Sequence, residues 1–144
     1  MQDRRAFLKQ SCTLCAGIVG LGALASQLSS CSTMSVVKTE INNGMISVPI
    51  SSFTDTKKVV VVRNAQLEFD IALVKNSNSD YTALQMKCTH QDNALSVTET
   101  GLFCASHGSA FDLKGNVTQE PAQTALKKYS TELNDSFILI NTKS

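Results

Sequence analysis

YTALQMKCTHQDNALSVTETGLFCASHGSAFDL, residues 81–113, is the stretch on which the reading of this chain turns. It holds both histidines of the sequence, each close behind a cysteine: Cys88-Thr89-His90 and Cys104-Ala105-Ser106-His107. Strand side chains alternate between faces, so over Tyr81–Cys88 the residues Leu84, Met86 and Cys88 share one side. His90 joins them if the extended backbone continues. Cys104 and His107, followed by Gly108, suit a tight turn on which two side chains converge. The thirteen residues between His90 and Cys104 include Gly101 and predict a hairpin that sets the two loops face to face. Two thiolates and two imidazoles then surround one volume.

Outward from this stretch lie short β-prone runs. They are Met45–Ile50, Lys58–Arg63, Phe69–Lys75 and Tyr81–Lys87, then Leu102–Cys104, Ala125–Leu133 and Phe137–Asn141. Asn, Asp, Ser and Gly punctuate them at Asn76-Ser77-Asn78-Ser79-Asp80, Lys114-Gly115-Asn116 and Asn134-Asp135. No segment after Gly44 carries a helical period, and many short strands with turn signals indicate an all-β sandwich or barrel. Val59-Val60-Val61-Val62 is too uniform for a half-exposed strand and predicts a central one, buried on both faces.

The N-terminal stretch is a different kind of object. Arg4, Arg5 and Lys9 crowd the first ten residues, and no charged residue follows from Gln10 to Val37. A basic start, an apolar run over Ala16–Ala25 and then small residues form the layout of a secretory signal. Asp3-Arg4-Arg5-Ala6-Phe7-Leu8-Lys9 resembles the twin-arginine export motif. Leu28-Ser29-Ser30-Cys31 resembles a bacterial lipobox, which implies lipidation of Cys31. A retained transmembrane helix is the alternative anchor, although Ser26, Gln27, Ser29 and Ser30 spoil its end. Cys12-Thr13-Leu14-Cys15, a spacing that elsewhere suggests redox or zinc chemistry, reads here as apolar filler. The expected organisation is a signal over 1–31, a Ser/Thr/Asn-rich tether over 32–44, and one domain over 45–144 with its functional loops at about 86–122. The expected location is the bacterial periplasm or cell envelope, membrane-anchored. A net charge of +1 gives no basic surface for nucleic acid.

Three readings of the Cys/His pairs compete: a buried set without metal, a structural Cys2His2 zinc site, and a [2Fe-2S] cluster with two Cys on one iron and two His on the other. Zinc accepts the ligand set, but its usual spacings pair Cys with Cys and His with His. One Cys and one His per loop is what the asymmetric cluster needs.

The residues around the pairs decide among them. Cys88-Thr89-His90-Gln91-Asp92-Asn93-Ala94-Leu95-Ser96 and Cys104-Ala105-Ser106-His107-Gly108-Ser109-Ala110-Phe111-Asp112 closely resemble the two cluster-binding loops of Rieske proteins. The match continues through Leu113-Lys114-Gly115, Pro121-Ala122, Leu126, Tyr129 and Phe137–Ile140. The resemblance implies a β-sandwich-like base with a small inserted cluster-binding subdomain. It implies one [2Fe-2S] cluster per chain, Cys88 and Cys104 on one iron, His90 and His107 on the outer iron, and a segment around Pro121 covering the cluster. Quinol-oxidising members usually carry a disulfide between the loops; here the matching positions are Asn93 and Ser106. Phe111 stands where high-potential members have Tyr, and Ser109 remains as a hydrogen-bond donor to the cluster.

No catalytic pair or triad stands out elsewhere. The expected function is one-electron transfer to a redox partner protein, a cytochrome or an oxidoreductase subunit. The alternatives are a small accessory subunit of a larger oxidoreductase, as in arsenite oxidases, and a zinc-stabilised binding module.

Overall fold

In the computed structural model, residues 34–143 are described. The N-terminal signal, the lipobox Cys31 and Cys12–Cys15 lie outside them. The described residues form twelve strands, with a single 3-10 turn at Ile50–Ser52. Eight strands build one curled sheet. Its core is β4 (Val59–Arg63), β5 (Ile71–Lys75) and β6 (Tyr81–Gln85), an antiparallel meander. β6 continues into β11 (Lys128–Leu133), β12 (Phe137–Asn141), β3 (Met45–Pro49) and the two-residue β2 (Ile41–Asn42). The opposite edge is β1 (Ser35–Lys38), parallel to β4.

Within the tether expected over 32–44, Ser35–Lys38 and Ile41–Asn42 are strands of the sheet. Thr39, between the two edge strands, shows how the curl closes. Its N–H donates to the carbonyl of Arg63, the last residue of β4, and its hydroxyl donates to the Ser47 carbonyl on β3. Polar composition gave no local sign of β1, because its hydrogen bonds go to a strand some twenty-five residues away.

The uniform valine run behaves as its composition predicts. Val60 and Val62, with Ile71, Leu73, Tyr81 and Ala83, face a core shared with Ile46, Val48, Tyr129, Ile138 and Ile140. Val59 and Val61, with Ala72, Val74, Leu84 and Met86, face a second core. β4–β6 is thus a middle layer, apolar on both sides. The second core is completed by a four-stranded sheet of very short strands: β7 (Ser96–Val97), β8 (Leu102–Phe103), β9 (Ala110–Phe111) and β10 (Val117–Gln119). β7 and β8 form the hairpin expected between His90 and Cys104, in the register Ser96 to Phe103 and Val97 to Leu102. Leu95, Val97, Leu102, Cys104 and Phe111 pack down from this subdomain onto the middle layer.

Candidate metal centre

Each Cys/His pair sits on a loop closed in the same way. The Cys88 N–H donates to the Asn93 carbonyl at 2.8 Å, and the Cys104 N–H donates to the Ser109 carbonyl at 2.8 Å. Both bonds span five residues and cradle the histidine between them. In the first loop a bridge between Lys87 and Ala94 brings the extended backbone to the cysteine. There it stops: the chain turns through 88–93, so His90 does not continue the Leu84–Met86–Cys88 face and is exposed instead. In the second loop Gly108 donates back to the Cys104 carbonyl and takes φ +83°, a conformation that side chains other than glycine's strain to adopt.

Burial separates the four side chains by type. Cys88 and Cys104 are 0% exposed and lie in the second core. They do not form a disulfide with each other. His90 and His107 are exposed, with ring centroids 5.0 Å apart and planes at 86°. Burial pushes the Cys88 thiol up. The backbone N–H groups of His90 and Gln91, with the Cys104 and Ser109 side chains, more than offset it and hold the group below its ordinary value. Donors aimed at that sulfur favour the thiolate, the form that binds metal. Among the described residues no three Cys, His, Asp or Glu side chains converge on one ion-sized point. The four divide instead into a buried thiol pair and a surface imidazole pair, which is how a binuclear cluster divides its ligands.

A third segment covers the pairs. Ala122, buried, donates its N–H to the Ser109 hydroxyl at 3.0 Å. The Thr89 hydroxyl donates to the Thr124 carbonyl at 2.7 Å. Both cysteine loops are therefore bonded to the segment that carries Pro121. Thr89, His90, Pro121, Gln123 and Thr124 line a shallow hollow of about 490 Å³ beside the exposed imidazole. The sequence places Ser109 and Phe111 near the sulfurs. Ser109 is fully buried and helps hold Cys88 below its ordinary value, and Phe111 is buried in the same core as both cysteines. Thr89 is the residue that sequence reasoning missed; nothing local marks a bond across thirty-five residues. Asp92, two residues after His90, is not a lone charge: the Lys87 ammonium lies 3.0 Å from its carboxylate.

A curled β base, a small four-stranded subdomain and two pseudo-equivalent Cys/His loops define an iron–sulfur electron-transfer domain. The sequence profile of the Rieske [2Fe-2S] domain matches residues 47–130, more than half of the chain, and the chain belongs to that family. Solved structures to which the chain is similar include the plasma membrane Rieske protein PetC3 of Synechocystis PCC 6803, at 23% identity and a TM-score of 0.46, covering 67% of this chain and 85% of that one. A chain from the complex of reduced oxygenase and oxidized ferredoxin in carbazole 1,9a-dioxygenase aligns at 17% identity with a TM-score of 0.54, covering 70% of this chain and 95% of that one. The comparison with curated proteins returned no match. The cofactor of the domain is a [2Fe-2S] cluster, and its role is electron transfer.

Proposed function

We propose that this chain is an exported, membrane-tethered carrier of single electrons. Cys88 and Cys104 would hold one iron, and His90 and His107 the other. The observation that carries this reading is the pairing itself: two buried thiols in mutual contact, and two exposed imidazoles 5.0 Å apart. When bound, the cluster supplies a centre that accepts and releases one electron. The protein's own part is to exclude water from the sulfur side, to direct the N–H groups of His90 and Gln91 toward Cys88, and to leave the imidazole edge open to a redox partner protein.

Several features support a potential below that of quinol-oxidising members. Phe111 carries no hydroxyl to donate toward sulfur, and Asn93 and Ser106 cannot form a disulfide between the loops. The basic, then uncharged, then small-residue order of residues 1–31 supports twin-arginine export with lipidation at Cys31. Among the described residues no helix is long and apolar enough to cross a membrane.

The test is composition and colour. Protein made with functional iron–sulfur assembly is expected to be reddish-brown, with about two irons and two acid-labile sulfides per chain. A colourless protein with one tightly held zinc overturns the assignment. For the tether, Cys31→Ala is expected to release the domain from membranes. Retention of the mutant with residues 1–30 still attached would favour the uncleaved helix.

A further inference from the structure

The pattern Asn-x-Ser/Thr, with x other than Pro, occurs twice in the chain, at Asn116-Val117-Thr118 and Asn134-Asp135-Ser136. In an exported protein it is the acceptor pattern for N-linked sugar. The sugar goes onto the amide nitrogen, so a folded acceptor must leave that nitrogen and the neighbouring hydroxyl free. The structure separates the two copies on this point.

At Asn116 the amide is already engaged. Its Nδ2 donates to the Asp112 carboxylate at 2.9 Å, and its backbone N–H donates to the same side chain at 2.8 Å. The two residues that follow belong to β10, which is laddered to β9. Asn134-Asp135-Ser136 instead lies wholly in the turn between β11 and β12, with all three residues exposed. The Asn134 Oδ1 accepts the N–H groups of Ser136 at 3.2 Å and Phe137 at 2.9 Å. The carbonyl end of the side chain is thus tied down. Among the described residues its Nδ2 donates to no group, and the Ser136 hydroxyl makes no hydrogen bond. Glu132, exposed two residues upstream, offers a carboxylate that a cationic acceptor groove can hold; before Asn116 the same position is Lys114. Leu133 and Phe137 bracket the tripeptide at 42% and 41% exposure, apolar surface that a sugar face can cover. β11 runs antiparallel to β6, with Tyr129 beside Ala83, so its far end points away from Cys88. A sugar on this turn leaves the imidazole edge clear.

Resting on the export reading above, we infer that Asn134 accepts an N-linked oligosaccharide, donated outside the cytoplasm from a lipid diphosphate carrier. The Asn134 Nδ2 attacks the anomeric carbon of the first sugar. The N–C bond forms as the bond from that carbon to the diphosphate oxygen breaks. The lipid diphosphate leaves with the electron pair, and Nδ2 gives up one proton. No oxidant or reductant takes part.

The test uses the full-length chain with its own signal, made in a bacterium that carries an oligosaccharyltransferase and a lipid-diphosphate-linked oligosaccharide of known mass. The processed protein in the envelope is expected to gain the mass of one oligosaccharide, mapped to Asn134 by peptide mass spectrometry, with its visible absorption and reduction potential unchanged. Asn134→Gln and Ser136→Ala should remove the added mass, Ser136→Thr should keep it, and Asn116→Gln should have no effect. Processed envelope protein without the sugar, or with it on Asn116, overturns the inference. A chain found unprocessed in the cytoplasm fails the export reading instead. The folded holoprotein is then given to the same transferase and donor in detergent: sugar on Asn134 upholds the acceptor site, and an unmodified Asn134 overturns it.

Discussion

The middle layer β4–β6 and the two cysteine loops touch across one core but are held by different physics. The layer has long strands, a full ladder and apolar side chains on both faces, so burial dominates its stability. The loops have strands of two or three residues and rely on turns, backbone bonds to cysteine and single side-chain bonds such as Thr89 to Thr124. Segments of that kind bury little on their own and are the first to open. The layer is therefore expected to fold without a bound cluster, and the loops to depend on one for their order.

The largest effects test that separation. Cys88→Ser is expected to abolish the visible absorption and the bound iron. The far-ultraviolet signature of the eight-stranded sheet should persist. Leu73→Ala, at a fully buried site on the other core, should do the reverse. It is expected to cost about 2–5 kcal/mol in denaturant unfolding while the folded fraction keeps its iron. Collapse of the sheet in the cysteine mutant would show that the two regions fold as one unit.

A second effect belongs to the subdomain alone. Burial pushes the Asp112 carboxyl up, but the Asn116 side chain, the backbone N–H groups of Asn116 and Lys114 and the Lys114 charge outweigh it and hold it below the ordinary range. A depressed folded value stabilises the turn above the unfolded value of about 3.9. That stabilisation is lost as pH falls through the lower folded value. Acid should therefore loosen the β9–β10 turn before it affects β4–β6, as read by amide exchange at Gly115 and Asn116. Asp112→Asn should open the same turn at neutral pH. Equal protection of both regions down to the acid transition would contradict it.

Much of this division was legible in the sequence. Val59–Val62 announced a layer buried on both faces, because only such a strand can dispense with polar alternation. Cys88-x-His90 and Cys104-x-x-His107 announced the site, because the only two histidines stand beside cysteines. β1 was not legible: Ser35-Val36-Val37-Lys38 sits in polar sequence and finds its partner far away. β7, β9 and β10 are too short for any period to show. The end of the extended run at Cys88 was also hidden, since the closing bond to Asn93 is backbone to backbone.

Phe111 gives a smaller effect that sharpens the role of the shared core. Phe111→Tyr is expected to raise the reduction potential, because a hydroxyl donating toward sulfur stabilises the added negative charge of the reduced cluster. Phe111 is buried with both cysteines, so the added hydroxyl either finds a sulfur or stays unpaired. Protein-film voltammetry separates the cases: an unchanged potential with a loss of stability would mean that the ring edge faces away from the sulfurs.

The smallest effect concerns Lys87 and Asp92, at the seam between the regions. Asp92 taken by itself would be a negative charge near His90 that disfavours reduction. In the structure its carboxylate lies 3.0 Å from the Lys87 ammonium, which also sits 5.4 Å from the centre of the Phe69 ring. The pair is close to neutral as seen from the cluster, so Asp92 alone does little. Removing either partner unmasks the other. Lys87→Met leaves the carboxylate uncompensated and is expected to lower the potential; Asp92→Asn leaves the ammonium and should raise it. Asp92 is largely exposed, so solvent and salt screen both changes. Shifts on the order of 20 mV are the scale to expect. Voltammetry at low and high ionic strength is decisive, because electrostatic shifts of opposite sign should shrink together as salt is added. Shifts of the same sign in both variants, unmoved by salt, would mean that the pair acts by holding the 88–93 loop in shape and not by its charge.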